Sequence, residues 1–130
     1  MQLNSWGMYP QIKSKKFTFN TKDNLRNILK ENSTFIPFGN GRSYGDSALA
    51  ENIIYSKPYN YFLNFDEELG ILHCQSGVML SEIIEVFVPR GWFLKVTPGT
   101  KLITIGGAIA CDIHGKNHHV EGCFSSCVEE

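Results

Sequence analysis

The sequence lacks the long apolar run that a membrane-spanning helix requires. Its longest near-continuous apolar stretch, residues 83–88, is interrupted by Glu85 and falls far short of the about 20 residues that cross a bilayer. The first ten residues also lack a basic start followed by an apolar stretch, which is the pattern of a cleaved secretory signal. We therefore expect no transmembrane segment, no signal peptide and, by default, a cytoplasmic location.

The sequence also lacks a large excess of one charge. Its 12 Lys and Arg residues and 13 Asp and Glu residues give a net charge of -1, which argues against the broad basic surface of non-specific nucleic-acid binding. Residues 1–30 nevertheless carry six basic side chains and one acidic side chain. This asymmetry favours a solvated basic face, with contact to a membrane surface or a phosphate as the alternative. We expect no nucleic-acid partner.

Cysteine is sparse, and its spacing fits no disulfide framework. The four residues are Cys74, Cys111, Cys123 and Cys127. Their uneven placement favours reduced thiols. The rest of the composition, 130 residues of which 42% are hydrophobic and 19% charged, provides apolar material for one globular domain.

Apolar spacing predicts amphipathic helices at two places. The first is capped by Asn20 or Thr21 and ends near residue 32. Its apolar face is formed by Leu25, Ile28 and Leu29. The second spans residues 80–88 and ends before the helix-breaking residues Pro89 and Gly91. A further apolar, glycine-interrupted helix is predicted to begin near Thr104.

Strands are predicted where apolar residues cluster between turn signals. They are residues 34–38, 53–55, 61–65, 71–75 and 92–96. The third and fourth strands flank Asp66-Glu67-Glu68-Leu69-Gly70, a polar connection of hairpin length.

Glycine is concentrated in two segments that we expect to be functional loops. The first glycine segment comprises Gly39, Asn40, Gly41, Arg42, Ser43, Tyr44, Gly45, Asp46 and Ser47. Closely spaced glycines admit positive φ and let a ligand approach the main chain, so that successive N–H groups can converge on a phosphate oxygen. Arg42 adds a charge and Ser43 a hydroxyl. The pattern matches neither a Walker loop nor a Rossmann fingerprint, and an ordinary surface turn is the alternative.

The second glycine segment comprises residues 98–119. Between residues 99 and 110 nearly every side chain is small or apolar, which favours a flat ring system held by main-chain groups and apolar contact. The polar residues that follow supply proton-transfer and hydrogen-bonding groups. They are His114, Lys116, Asn117, His118 and His119, and a polar surface turn is the alternative. We expect the two glycine segments to meet in space and to bind a ligand through exposed amides.

A zinc site is the competing interpretation of the last part of the chain, because imidazole and thiolate are the preferred zinc donors. Its ligands would be His114, His118, His119, Cys123 and Cys127. The pairs with i, i+4 spacing would need helices, and Gly115 and Gly122 interrupt both stretches. On this interpretation the protein is a non-catalytic binding module. A third alternative gives the glycine segments a structural role only.

The two glycine segments together resemble the FAD-binding half of the FAD-linked oxidases of the vanillyl-alcohol oxidase family, whose FAD-binding domain is of the PCMH type. The resemblance runs through Ser5-Trp6-Gly7, Gly41-Arg42-Ser43-Tyr44-Gly45-Asp46, Ser76-Gly77-Val78, Pro98-Gly99-Thr100 and residues 104–119. It covers nearly the whole chain and is closest to the oxidases of polyprenyl-phosphate sugars.

The resemblance implies an α+β fold of small β-sheets packed with helices. Residues 1–130 would form the N-terminal portion of an FAD-binding domain, with the remainder of that domain and a substrate domain outside this chain. Beyond the first glycine segment, the resemblance implies FAD contacts at Gly99, Thr104, Ile105, Gly106, Gly107, Cys111, Asp112, Ile113 and His114. It also places His114 and Lys116 near the reacting atoms and Lys116 and Asn117 against the substrate.

The implied activity is that of an FAD-dependent oxidoreductase that oxidises a hydroxyl carbon of a sugar or a polyprenyl-phosphate sugar. A base near His114 or Lys116, or one outside this chain, would accept the hydroxyl proton, and the sequence does not assign it. The chain by itself is expected to be inactive. Uncovered apolar surface and open sheet edges predict self-association, for example as a homodimer.

The first glycine segment departs from the family pattern at one informative position. Several related oxidases attach FAD covalently through the histidine of a Gly-Gly-His-Ser pattern. The matching residues here are Tyr44, Gly45, Asp46 and Ser47. Because Asp46 stands in place of the histidine, we predict that FAD binds non-covalently.

Overall fold

The computed structural model describes residues 1–31 and 34–129. Its strands are β1 (Gln2–Asn4), β2 (Gln11–Lys13), β3 (Lys15–Thr18), β4 (Ile36–Phe38), β5 (Asn52–Tyr55), β6 (Phe62–Asp66) and β7 (Ile71–Cys74). Its helices are α1 (Lys22–Glu31), α2 (Leu80–Phe87), α3 (Ile105–Ala110) and α4 (His118–Glu121), with 3-10 turns at Val88–Arg90 and Phe124–Cys127. This mixture of small sheets and helices confirms the predicted fold class. Within these residues, no helix combines the length and apolar character needed to cross a membrane.

The N-terminal half is built on a parallel sheet in the order β3-β5-β4. Central strand β5 carries Ile53, which is 0% exposed. Pro37 lies in edge strand β4, where its missing N–H is tolerated. The predicted strand at residues 34–38 is thus confirmed over Ile36–Phe38. The first glycine segment directly follows β4. Because the strands are parallel, it leaves the sheet at the edge where the carboxyl ends of β3, β4 and β5 lie.

Helix α1 connects β3 to β4 and begins as its sequence predicts. The Thr21 hydroxyl accepts a hydrogen bond from the Asn24 N–H at 3.1 Å, which satisfies one of the unpaired donors of the first turn. Leu25 and Ile28 are half-buried, whereas Leu29 is exposed. The predicted end of this helix near residue 32 lies outside the described residues.

An antiparallel hairpin of β1 and β2 precedes the parallel sheet. Leu3 of this hairpin is buried in a first hydrophobic core with Phe38, Leu49 and Ile53. Neither this hairpin nor β3 was predicted, because strands of three or four residues are too short to show a clear alternation of apolar and polar residues.

The C-terminal half is organised around hairpin β6-β7 and helix α2. The two strands pair in antiparallel register from Phe62↔Cys74 to Asp66↔Ile71, which confirms the predicted hairpin. A second hydrophobic core is formed by Val78, Leu80, Ile83, Phe87, Val96, Ala108 and Phe124. Three of these residues come from α2 at helical spacing, and the chain leaves that helix through a 3-10 turn and Gly91, whose φ is +87°.

The strand predicted at residues 92–96 is wrong. The segment does alternate, because Trp92, Leu94 and Val96 face the second core while Phe93 is 68% exposed. It nevertheless pairs with no strand among the described residues. The period of two indicates which side chains are buried, and it does not show whether a partner strand is available.

Candidate functional site

The two glycine segments meet in space, as expected from the sequence. The Asn40 Nδ2 donates a hydrogen bond to the Leu102 carbonyl at 2.8 Å, and the Lys57 ammonium donates to Asn40 Oδ1 at 3.0 Å. Gly39 lies against Thr104 so closely that a Cβ at position 39 would be 2.5 Å from Thr104 Oγ1. A side chain at position 39 would therefore separate the two segments.

A third stretch, Ser76-Gly77-Val78, joins the second glycine segment to the rest of the fold. The Gly106 N–H donates to the Ser76 carbonyl at 2.8 Å, and the Ile105 N–H donates to the Val78 carbonyl at 2.7 Å. These bonds attach the first turn of α3 to the connection between β7 and α2. These protein hydrogen bonds hold the start of α3 in place without a ligand.

The main-chain amides of the first glycine segment are free. Among the described residues, no N–H from residue 41 to residue 47 donates to a protein acceptor. Gly41 and Gly45 have φ values of +66° and +56°, and this left-handed conformation lets neighbouring N–H groups point the same way. Residues 44–47 are exposed. The segment thus presents unpaired donors to an anion from solvent.

The amides at the start of α3 are not free, which corrects the expectation that both segments bind through exposed amides. Ile105 and Gly106 donate to main-chain carbonyls, and the Gly107 N–H donates to Thr104 Oγ1 at 3.2 Å. Thr104 is buried and serves as the helix cap. What this turn presents outward is apolar surface, including Ile109, which is 43% exposed.

The side chains of the first glycine segment have few internal partners. The Arg42 guanidinium carbon lies 5.6 Å from the centroid of the Trp6 ring, and the buried Arg42 Nε has no hydrogen-bond partner among the described residues. Ser47 Oγ donates to the Tyr44 carbonyl at 2.9 Å. The Asp46 carbonyl accepts a hydrogen bond from the Leu49 N–H. Arg42 therefore forms no ion pair with any carboxylate in the part of the chain that the structure describes.

The chain turns sharply after α3 and then presents its polar residues. Asp112 has a φ of +42°, and its Oδ1 accepts a hydrogen bond from the Ser125 N–H at 2.8 Å. His114 is exposed, and its ring lies 4.9 Å from that of His118. Lys116 and Asn117 are exposed, and their side chains have no partner within the part of the chain that the structure describes.

The zinc interpretation finds no ligand set. Across residues 1–31 and 34–129, the structure places no three His, Cys, Asp or Glu side chains where they could hold one metal ion. All four cysteines are free, and Cys111 and Cys127 are exposed. Burial raises the pKa of the Cys74 thiol to about 11, so this group is neutral and unreactive near neutral pH.

Two cavities border the C-terminal half. One, of about 80 Å³, is apolar and lies between hairpin β6-β7, α2 and Trp92. The other, of about 290 Å³, lies between α2 and residues 97–101, and it includes the predicted contact residue Gly99. Neither is lined by a residue of the first glycine segment, of which residues 44–47 are exposed.

The residues present fit the FAD that the sequence resemblance implies. A diphosphate needs several converging donors and a positive charge, which the free amides of residues 41–47 and Arg42 supply. A flat ring system needs an apolar surface nearby, which the exposed side of α3 supplies. The two requirements are met by two different segments that touch through Asn40 and Leu102.

Comparison with known proteins gives the same result. A family model described as an FAD binding domain matches residues 18–130. Decaprenylphosphoryl-beta-D-ribose oxidase of Mycolicibacterium smegmatis is 40% identical over 92 residues, which are 69% of this chain and 20% of that protein. D-lactate dehydrogenase of Anaerostipes hadrus is 31% identical over 64 residues, which are 49% of this chain and 14% of that protein.

Solved structures of alkyldihydroxyacetonephosphate synthase in two crystal forms share the fold. Their TM-scores are 0.69 and 0.71 at 20% and 18% identity, and the match covers 85% of this chain and 23% of theirs. The chain thus spans about a fifth of the length of the oxidase and of these structures. Because the family model covers residues 18–130, the chain belongs to the family of PCMH-type FAD binding domains, and FAD is its cofactor.

Proposed function

We propose that the first glycine segment binds the diphosphate of FAD in a flavin-dependent oxidoreductase that oxidises a hydroxyl carbon of a sugar or a polyprenyl-phosphate sugar. The observation that carries the binding role is the run of free amides over residues 41–47. The substrate class is supported by the relative that is named as an oxidase of decaprenylphosphoryl-ribose. We also propose that FAD contacts Gly99, residues 104–107 and residues 111–114, and that the substrate contacts Lys116 and Asn117. Helix α3 would contact FAD through carbon and carbonyl atoms.

The second glycine segment is suited to a flat ring. Ile109 offers an exposed apolar group on the short helix α3. Because the amides of this turn are already paired inside the fold, a ring placed here would gain apolar contact and would compete with no protein hydrogen bond.

FAD supplies two-electron redox chemistry when it is bound. The chain contributes two exposed polar groups, the Lys116 ammonium and the Asn117 amide, whose side chains have no partner among the described residues. Both can therefore bind a substrate hydroxyl or phosphate. A base near His114 or Lys116, or a group outside this chain, is proposed to accept the hydroxyl proton, and either side chain could do so only in its neutral form. His114 also contacts His118, which restricts the orientation of its ring.

The binding role is tested with two glycines that differ only in location. Gly45 and Gly91 both have positive φ, and a Cβ at either would contact nothing within 4 Å. Alanine at either position therefore has the same backbone cost, about 1 kcal/mol. Gly45→Ala should lower FAD affinity about tenfold by misaligning the donors, whereas Gly91→Ala should leave affinity unchanged.

Affinity is measured by quenching of flavin fluorescence in the 130-residue chain, and thermal unfolding is followed in parallel. Equal melting temperatures for the two variants with unequal FAD affinities support the proposal. Equal affinities, or no FAD binding by the chain of natural sequence, would overturn it.

A further inference from the structure

The N-terminal hairpin lies outside the region that the FAD binding domain model matches, which begins at residue 18. It nevertheless contacts the first glycine segment. The Trp6 N–H donates a hydrogen bond to the Ser43 carbonyl at 3.1 Å. A Cβ at Gly41 would lie 3.2 Å from the Asn4 carbonyl oxygen. Residues 4–6 therefore pack along residues 41–43.

Arg42 has one described interaction, and it is with this hairpin. Its guanidinium carbon lies 5.6 Å from the centroid of the Trp6 ring, within the range of a cation–π contact. Across residues 1–31 and 34–129, the ion pairs are Asp23 with Arg26 and Lys95 with Glu121. No carboxylate therefore neutralises Arg42 in the described part of the chain.

The N-terminal hairpin and the first glycine segment each contain a buried polar atom without a hydrogen-bond partner among the described residues. The buried side-chain nitrogen and oxygen atoms without a hydrogen-bond partner in the described residues are Ser5 Oγ and Arg42 Nε. Ser5 is 2% exposed. Buried polar groups are normally paired, so the Arg42 side chain has hydrogen-bonding capacity that no described residue uses.

The Trp6 ring contributes little to either core. It is 54% exposed, and it belongs to neither cluster of buried residues. Its described contacts are those with Arg42 and Ser43. Among the described residues, Trp6 therefore contacts the first glycine segment and not a hydrophobic core.

We propose that Trp6 is a positioning residue for the FAD diphosphate and acts through Arg42. The Trp6 amide fixes the main chain at Ser43, and the Trp6 ring holds the Arg42 guanidinium in place before the diphosphate arrives. A free arginine side chain would lose its rotamer freedom on binding, and the contact removes much of that cost in advance. This inference rests on the proposed role of the first glycine segment.

The experiment is a double-mutant cycle of FAD affinity in the 130-residue chain, with Trp6→Ala, Arg42→Ala and the double variant. Arg42→Ala should weaken FAD binding about tenfold. Trp6→Ala should weaken it about three- to fivefold. In the Arg42→Ala background, Trp6→Ala should have no further effect, because the residue through which it acts is gone.

Two more variants separate positioning from a general effect on the fold. Trp6→Phe keeps an aromatic face and should restore most of the affinity lost in Trp6→Ala. Tyr61→Ala removes another exposed aromatic ring, far along the chain in the C-terminal half, and should leave affinity unchanged. Trp6→Ala and Tyr61→Ala should have similar melting temperatures.

Each outcome bears on one of the two proposals. If Arg42→Ala weakens binding and Trp6→Ala does not, the positioning role is wrong and the diphosphate role of the segment stands. If Arg42→Ala has no effect, the diphosphate role assigned to Arg42 is wrong, and the positioning role fails with it. An additive cycle, or a loss that Trp6→Phe does not restore, also overturns the positioning role.

Discussion

The two glycine segments look alike in sequence and differ in what they offer a ligand. The first leaves its amides free over residues 41–47, whereas the second pairs the amides of residues 105–107 inside the fold. In the first, Gly41 and Gly45 provide positive φ. In the second, glycine permits close packing, because a Cβ at Gly106 would lie 3.2 Å from the Ser76 carbonyl oxygen. Glycine content alone therefore does not distinguish a ligand cradle from a packed helix turn.

The largest effect is expected on the fate of the cofactor in acid. Residues 39–47 contain no His or Cys that could form a covalent bond to flavin. Acid precipitation of a flavin-loaded sample should release all the flavin into the supernatant. Yellow colour that stays with the precipitated protein would contradict non-covalent binding.

The end of the second glycine segment should control turnover rather than cofactor content. In an active enzyme that contains this chain, Lys116→Ala should lower turnover about 100-fold, the size expected for a lost proton-transfer or charged substrate contact. Flavin content should stay the same, because Lys116 is exposed and its side chain contacts no partner in residues 1–31 and 34–129. Lys101→Ala is the matched control, since Lys101 is an exposed lysine of the same segment. Unchanged turnover in Lys116→Ala would argue against its proposed role.

A methyl group added at Gly39, where the two glycine segments touch, should lower the free energy of unfolding. Gly39→Ala places a Cβ 2.5 Å from the buried Thr104 Oγ1, and we expect the free energy of unfolding to fall by about 1–3 kcal/mol. Gly99→Ala meets nothing within 4 Å and should change it by less than about 0.5 kcal/mol. Urea denaturation measures both. Equal values would show that the segments are not packed as described.

The smallest effect concerns the thiols of the second half. Burial raises the pKa of Cys74 from its ordinary 9.0 to about 11, so the folded chain holds this proton more tightly than the unfolded chain does. The free energy of unfolding should therefore decrease as the pH rises from about 9 to 11. Cys74→Ala should flatten this slope in pH-dependent denaturation. Near pH 8, iodoacetamide should modify the exposed Cys111 before Cys74.

Local sequence patterns predicted the elements that carry their own start and end signals. Helix α2 has four apolar residues at helical spacing and is followed by Pro89 and Gly91. Hairpin β6-β7 has a polar, glycine-ended connection. The segment at residues 92–96 has the alternation of a strand without a partner. Strand pairing depends on distant segments, and local spacing carries no information about them.

The sequence predicted the segments that form the site, but it did not predict the hydrogen bonds and contacts between them. Glycine spacing correctly indicated two segments that meet, but the pairing of the Ile105 and Gly106 amides depends on carbonyls more than 25 residues away in the chain. Trp6 was part of the family resemblance, and a single exposed aromatic residue has no periodicity from which a contact with Arg42 could be inferred.

The presence of two hydrophobic cores means that bound cofactor should also stabilise the fold. The first glycine segment lies in sequence between Phe38 and Leu49 of the first core, and the second glycine segment contributes Ala108 to the second core. A molecule bound to both segments connects the parts of the chain that form the two cores. At a concentration 100 times its Kd, it adds about 2.7 kcal/mol to the free energy of unfolding. Cellular supply of the cofactor would then set how long each newly made chain survives proteases.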